Sequence, residues 1–347
     1  MIKFYQIYIN KEVLALKYFT LVLLVFLLAF SIASLTSCGG ADTTVPSGTQ
    51  APPTDSTGMD DENPTDDPST SKAPPMLTND EKTVPENGFI QVNSASYISG
   101  TLLQIDNTHP YQYNVSTLKP SHKIGDSVSY INGQNLIGLY GKTNQKYLLK
   151  SSKLFYKDDA FSYLDGMLSQ FAEDSGKNNI QIVNAYLYSD PSTLTNEYVA
   201  GYSIAINIFE NDVTYSITAS EFDFQYHGKT VSCLDWFIEN CMFFGYIYTG
   251  LTGSQQQTLA TFRFVGVPHA IAMTQYDMID VSEYNRTIRL AEKLVIINDS
   301  YTDTIWYVTY AKAHESNTNT IIELPAHAKY IISGDNEGGF IIAYKLS

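Results

Sequence analysis

The sequence predicts an α+β protein: a central, mostly antiparallel sheet with helices packed on it, followed by a small C-terminal β subdomain. Three observations carry this. Apolar residues recur at helical spacing in a few places, most clearly at Phe161, Leu164, Leu168 and Phe171. Short runs rich in Ile, Val, Tyr and Phe alternate with polar residues between turn signals, as half-buried strands do. From about Leu294 onward the pattern is β throughout. With 347 residues, 44% of them hydrophobic, the chain is long enough for one large domain or two small ones.

The first segment stands apart from the fold. Lys3, Lys11 and Lys17 precede the apolar run "YFTLVLLVFLLAFSIAS", the charged-then-apolar order of a secretory signal. Leu35, Thr36 and Ser37 before Cys38 match a bacterial lipobox, so residues 1–37 are expected to be a lipoprotein signal peptide. The other reading is an uncleaved membrane anchor, since the run nearly reaches the roughly 20 residues a bilayer takes. A diacylglycerol on Cys38 would carry two acyl chains, enough for stable anchoring at the bacterial cell membrane. Either way the rest of the chain is expected to be extracytoplasmic. Residues 38–88, dominated by Pro, Thr, Ser and Asp, cannot bury enough surface to offset chain ordering and are expected to be a disordered tether.

Ordered structure is expected from near Gly88, with residues 89–290 as the core and 291–347 as the β subdomain. "FIQVNSASYISGTLLQID" alternates well enough for two strands, and "NTHPYQYN" is a turn-rich connection in which Asp106 beside His109 reads as capping. "DDAFSYLDGMLSQFAEDSGKN" is the clearest helix, with an Asp pair at its start and Gly176 after its end. Strands follow at "IQIVNAYLYS", at the end of "NEYVAGYSIAINIF" and at "VTYSIT". A helix is then expected around Trp236, a strand at "LATFRFVG" and a helix in "VSEYNRTIRLAEKL". Cys233 and Cys241 both fall in the Trp236 segment. Along a helix they would stand roughly 12 Å apart, too far for a disulfide, and read as small core residues.

A formal net charge of -15 and a pI near 4.7 argue against a nucleic-acid partner, because no basic cluster would neutralise a phosphate backbone. The 26 tyrosines suit β structure. No G-x-S-x-G elbow is present and no Cys sits beside a plausible His base.

Several local spellings converge over roughly residues 100 to 290. "EYVAGYSIAINIF" has the frame of an S-x-H-x-x-G-x-A-x-D block. "LDWFIENCMFFGYIYT" carries W-x-x-x-N, and "ATFRFVGVPHAIAM" carries F-R-aromatic-V-G followed by P-H-A. In these the chain resembles the VanY-type D-alanyl-D-alanine carboxypeptidases, zinc enzymes that trim the terminal D-Ala of peptidoglycan stems. The resemblance implies a DD-peptidase/Hedgehog-like fold. It places the family's metal ligands at Tyr198, Ala205 and Thr261, its general base at Thr258, and an arginine of its S-G-Y-R-S turn at Leu187. The positions retained are scaffolding: Gly201, Trp236, Asn240, Gly245, Phe262, Arg263, Val265, Gly266, Pro268 and His269.

Catalytic zinc needs about three N, S or carboxylate donors and an open position for water. Ala205 has no donor atom, and neutral Tyr and Thr hydroxyls do not replace imidazole. None of the histidines at 109, 122, 227, 269, 314 and 327 has an Asp seven residues on or a Glu three residues back, so the motif has not moved elsewhere. No zinc or other cofactor is therefore expected. Alternation puts Ser203, Ala205 and Asn207 on one strand face, and Thr261 with Arg263 on another. The expected groove is made by Tyr198, Ser203, Thr261 and Arg263, with Arg263 either pairing with a stem-peptide carboxylate or holding the scaffold. The sequence thus points to a non-catalytic cell-surface lipoprotein that binds peptidoglycan peptide or a protein partner. The alternative is an active carboxypeptidase with an unconventional site.

Overall fold

The computed structural model describes residues 81–111, 129–131, 134–143, 145–186, 196–254, 257–291, 295–299 and 304–346. The leader, Cys38, nearly all of the expected tether, His122 and Leu187 lie outside the described residues. In chain order, β1 (Lys82–Thr83), β2 (Phe89–Asn93), β3 (Ser129–Ile131), β4 (Gln134–Gly138), β5 (Leu148–Leu149) and β6 (Phe155–Lys157) precede α1 (Asp158–Ser175). Then β7 (Ile180–Asn184), β8 (Ser203–Glu210), β9 (Val213–Tyr215), β10 (Phe224–Tyr226) and β11 (Lys229–Val231) lead to α2 (Cys233–Asn240). The hairpin of β12 (Tyr246–Ser254) and β13 (Gln257–Phe264) is followed by α3 (Val267–Gln275) and α4 (Val281–Ala291). The described chain closes with β14 (Val295–Asp299), β15 (Thr304–Lys312), β16 (Asn319–Glu323), β17 (Lys329–Gly334) and β18 (Gly339–Lys345).

Helix α1 forms where its spacing predicts. Tyr163, Leu164, Met167, Leu168 and Phe171 make the buried stripe, Asp158 and Asp159 sit at the positive end of the helix dipole, and Gly176 ends it at φ 67°. Phe171 stacks on Phe237 of α2 at 4.7 Å and meets Trp236 edge-on at 5.3 Å. Each such side chain contributes about 1.5–3 kcal/mol by leaving water. The scaffold residues of the W-x-x-x-N spelling are tied together here: Asn240 Nδ2 donates to the Trp236 carbonyl at 2.8 Å, and Trp236 Nε1 donates to Asp174 at 2.9 Å.

The helices pack on a six-stranded sheet of order β12-β13-β8-β7-β5, with β9 added to β8. Its pairings are antiparallel except β5 with β7. Ile204, Ile206, Ile208, Ala260, Phe262 and Phe264 fill the helix-covered face. This is the α+β architecture, with a largely antiparallel sheet, that the sequence predicts.

A five-stranded sheet of order β1-β17-β18-β15-β14 draws most of its strands from residues 291–347, but β1 comes from the opposite end of the described chain. Lys82 pairs with Tyr330 and Thr83 with Lys329, so ordered pairing starts before Gly88, inside the segment read as tether. Strand β16 pairs with β2 in the same way. Trp306, Val308, Ile341 and Ala343 belong to one apolar cluster with α1, β8 and β13.

Two elements differ from expectation. The second strand of "FIQVNSASYISG" is a 3-10 helix, Ser94–Ile98, because Asn93 Oδ1 accepts from Ala95 N at 3.0 Å and Ser96 Oγ donates back to the Asn93 carbonyl. Helix α3 shows no amphipathic stripe because every residue from Val267 to Met273 is buried. Cys233 opens α2 and Cys241 opens the 3-10 turn after it. Both are free and buried, and burial pushes their thiols up to about 11 and about 12. Among the described residues no helix is long and apolar enough to cross a membrane.

Candidate functional site

The face of the six-stranded sheet turned away from the helices is polar. Strands β8 and β13 pair with Thr261 opposite Ala205 and Arg263 opposite Ser203. Strand β7 brings Asn184 opposite Ala205, and β12 brings Gly250 opposite Thr261. Asn184, Ala205, Thr261 and Gly250 therefore form one row across four strands. Both outer strands break register beside it, between Ile182 and Asn184 and between Tyr248 and Gly250. Bulges of this kind re-aim side chains and concentrate next to functional sites.

Tyr198 reaches the same place from a different element. It sits in the 3-10 helix Glu197–Ala200, which Asn196 caps by accepting from Tyr198 N at 3.0 Å and Gly201 ends at φ 77°, a conformation that favours glycine. Burial and the neighbouring Glu197 charge hold the phenol above its ordinary range, with the Asn184 amide near enough to pull the other way. The three positions that the resemblance assigns to metal ligands are thus brought together by the fold.

Their chemistry does not fit zinc. Ala205, 1% exposed, offers no donor. The Thr261 hydroxyl donates to the Gly250 carbonyl at 2.8 Å and accepts from the Thr249 hydroxyl at 2.9 Å, so its bonding capacity is largely engaged. The Tyr198 phenol stays protonated. Among the described residues no three His, Cys, Asp or Glu side chains are grouped to hold a metal ion. Thr258 is not brought to the row: the period-two alternation of β13 puts it on the face of Ala260 and Phe262, and its hydroxyl donates to the Ser254 carbonyl at 3.1 Å. A carboxylate there would have to come from an irregular strand, and this one is regular.

Arg263 is buried. Its Nη2 donates to the carbonyl oxygens of Leu103 and Thr101, the latter at 3.3 Å, which gives it the task of fixing the segment before β3. Burial pulls its pKa down, and the nearby Glu197 and Asp280 carboxylates oppose that. Glu197 in turn is pushed above the usual carboxylate range by burial, with Arg263 and Ser203 favouring its charged form. Asn207 Oδ1 on the same face is without a partner among the described residues.

Glu197 and Asn184 were not legible as site residues. Glu197 stood beside Tyr198 in the motif, and that adjacency was the available signal. Asn184 joins only through the bulge in β7. Away from this row, Asp106 does act as a cap, accepting from Thr108 N at 2.7 Å and His109 N at 2.8 Å.

No protein-family profile matches the chain. It is 26% identical over 271 residues to a D-alanyl-D-alanine carboxypeptidase of Enterococcus faecium, across 76% of this chain and 78% of that protein. Its structure superposes on the crystal structure of the vancomycin-resistance D,D-dipeptidase VanXYg in complex with a D-Ala-D-Ala phosphinate analogue. The TM-score is 0.51 at 17% identity, covering 74% of this chain and 98% of that one, and speaks for the fold alone. The chain is thus homologous to a D-alanyl-D-alanine carboxypeptidase and has a D,D-dipeptidase fold.

Proposed function

We propose that this chain is a lipid-anchored, extracytoplasmic protein whose D-Ala-D-Ala carboxypeptidase-like domain binds peptidoglycan stem peptide without cleaving it. The observation that supports this is the row Asn184–Ala205–Thr261. It carries two of the positions that the resemblance assigns to metal ligands, and an alanine and a hydrogen-bonded threonine occupy them. No residue of the row supplies an ionised donor to a metal and Thr258 offers no base, while the one carboxylate beside the row, Glu197, has Arg263 and Ser203 as its neighbours. Ser203 and Asn207 put hydrogen-bonding side chains on the same strand face as Ala205, the chemistry with which a peptide backbone pairs.

Calorimetric titration with a synthetic stem peptide ending in D-Ala-D-Ala tests the ligand. Saturable binding with no D-Ala released, with or without added zinc, is the expected result. Release of D-Ala that a chelator abolishes would establish the enzyme reading instead. No heat at millimolar peptide would remove the peptide ligand and leave a cell-surface protein as the partner to seek. Anchoring is tested separately by Cys38→Ser, which should move the chain from the membrane fraction to the soluble one.

A further inference from the structure

Residues 101–104 belong to no strand, yet each of their four carbonyls accepts a hydrogen bond from a side chain far away in sequence. Arg263 Nη2 donates to Thr101 at 3.3 Å and to Leu103. Asn285 Nδ2 of α4 donates to Leu102 at 2.7 Å, and Asn336 Nδ2, in the β17–β18 turn, donates to Gln104 at 2.7 Å. Two amides are matched as well: Leu102 N donates to Ser333 Oγ of β17 at 2.9 Å, and Gln104 N to Asn336 Oδ1 at 2.8 Å. The Asn336 carboxamide thus makes with Gln104 the pair of bonds by which one strand residue holds another. Side chains hold this strap as ladder partners would hold a strand.

The fit leaves no slack. Leu102 is fully buried in the apolar cluster shared by α1, β8 and β13. Just before it, Gly334 N donates to the Ser99 carbonyl at 2.9 Å and Asn336 N to the Tyr97 carbonyl at 2.8 Å. A Cβ on Gly334 would strike the Tyr97 carbonyl, and one on Gly100 the Ser333 hydroxyl, so the close approach needs glycine at both positions.

On its other side the strap meets the Ala205 row. Arg263 shares a strand face with Thr261, and the carboxylate near its guanidinium is Glu197, whose 3-10 helix carries Tyr198. We infer that Asn336, Ser333 and Asn285 are positioning residues for the row. Through the strap they fix Arg263, and through Arg263 the helix of Glu197 and Tyr198 that borders the row. The C-terminal strands thereby set the shape of a groove built on the other sheet. This rests on the peptide-binding reading of the row, because a site held in its bound shape loses less on binding.

Asn336→Gly keeps the backbone at φ 47° and removes both side-chain bonds to Gln104, whereas Asn336→Asp keeps the acceptor and loses the donor. Lys312→Gln, at an exposed ion pair of β15, is the control. The full chain is titrated calorimetrically with a stem peptide ending in D-Ala-D-Ala, at a temperature where every variant is folded. Asn336→Gly should bind about tenfold more weakly than wild type, Asn336→Asp about threefold, and Lys312→Gln as wild type does. Stability does not enter that constant, so a merely structural role would leave it unmoved. Should Asn336→Gly fail to fold, Asn336→Asp carries the same comparison. Wild-type affinity in the Asn336 variants would overturn the inference and leave the peptide reading standing. If wild type binds no stem peptide, the peptide reading fails and a ligand-free cycle decides the positioning. In urea unfolding, Asn336→Gly and Arg263→Met should then depart from additivity by about fivefold or more in the unfolding constant. Additive effects would overturn it.

Discussion

Thr261 stands directly across from Ala205 in the β13–β8 ladder, and its hydroxyl is already shared between the Gly250 carbonyl and the Thr249 hydroxyl. The bulge in β12 at Thr249 makes that possible, because it presents Thr249 and Gly250 to one residue of β13. A position that the resemblance assigns to a metal ligand has become a hydrogen-bonded part of the sheet.

If the three positions converge as the structure has them, ligands can be put back. The triple variant Tyr198→His, Ala205→Asp, Thr261→His should be less stable than the parent without metal, since it buries a carboxylate and removes two hydroxyl bonds. Zinc at about 100 times its Kd should return roughly 2.7 kcal/mol, which for a chain of this size is about 4 °C in Tm. The parent should not respond. A thermal scan of the variant that is flat with zinc would mean that the positions do not meet. D-Ala release should stay absent even with zinc bound, because Thr258 lies on the opposite face.

Arg263→Met should cost about 3–5 kcal/mol in urea unfolding. It strands the Leu103 and Thr101 carbonyls and leaves Glu197 without its nearby cation. A loss below about 1 kcal/mol would return Arg263 to the groove as a ligand contact rather than a structural tie.

Glu197 supplies a pH signature. Burial raises its folded-state pKa, so the folded protein binds that proton more tightly than the unfolded chain. Its contribution to stability is fully present below the unfolded carboxylate value and is lost as pH rises through the folded one. Glu197→Gln should therefore gain stability relative to wild type between pH 4 and pH 7, as denaturation midpoints at the two pH values would show. A difference that does not change with pH would contradict the burial of this carboxylate.

His269 works in the opposite sense. Burial lowers its pKa from 6.5 to about 3, so the folded state favours the neutral ring. Stability from this group is complete above the ordinary histidine value and is lost as pH falls towards 3, by up to about 1.4 kcal/mol per pH unit. His269→Phe should flatten the acid limb of the stability profile between about pH 6.5 and pH 4. An unchanged slope would place the titration elsewhere.

Local periodicity carried much of the fold. The stripe of α1 and the alternation of β8 and β13 are i, i+4 and i, i+2 relationships, complete within a few residues of chain. For that reason the sharing of one face by Ser203, Ala205 and Asn207, and of another by Thr261 and Arg263, could be read in advance. That Ala205 offers no metal donor could also be read in advance, because an alanine has nothing to coordinate with in any fold.

Long-range relationships stayed hidden. Nothing near Lys82 shows that it pairs with Tyr330, and nothing near Phe89 shows that β2 pairs with β16. Helix α3 escaped because burial on all sides erases the polar face that marks a helix. Asn184 and Gly250 enter the row through bulges, which alternation does not encode. The strap of residues 101–104 brings together side chains from two sheets. Residue chemistry and short-range repeats are properties of the chain, whereas pairing partners, bulges and straps depend on which distant faces bury one another.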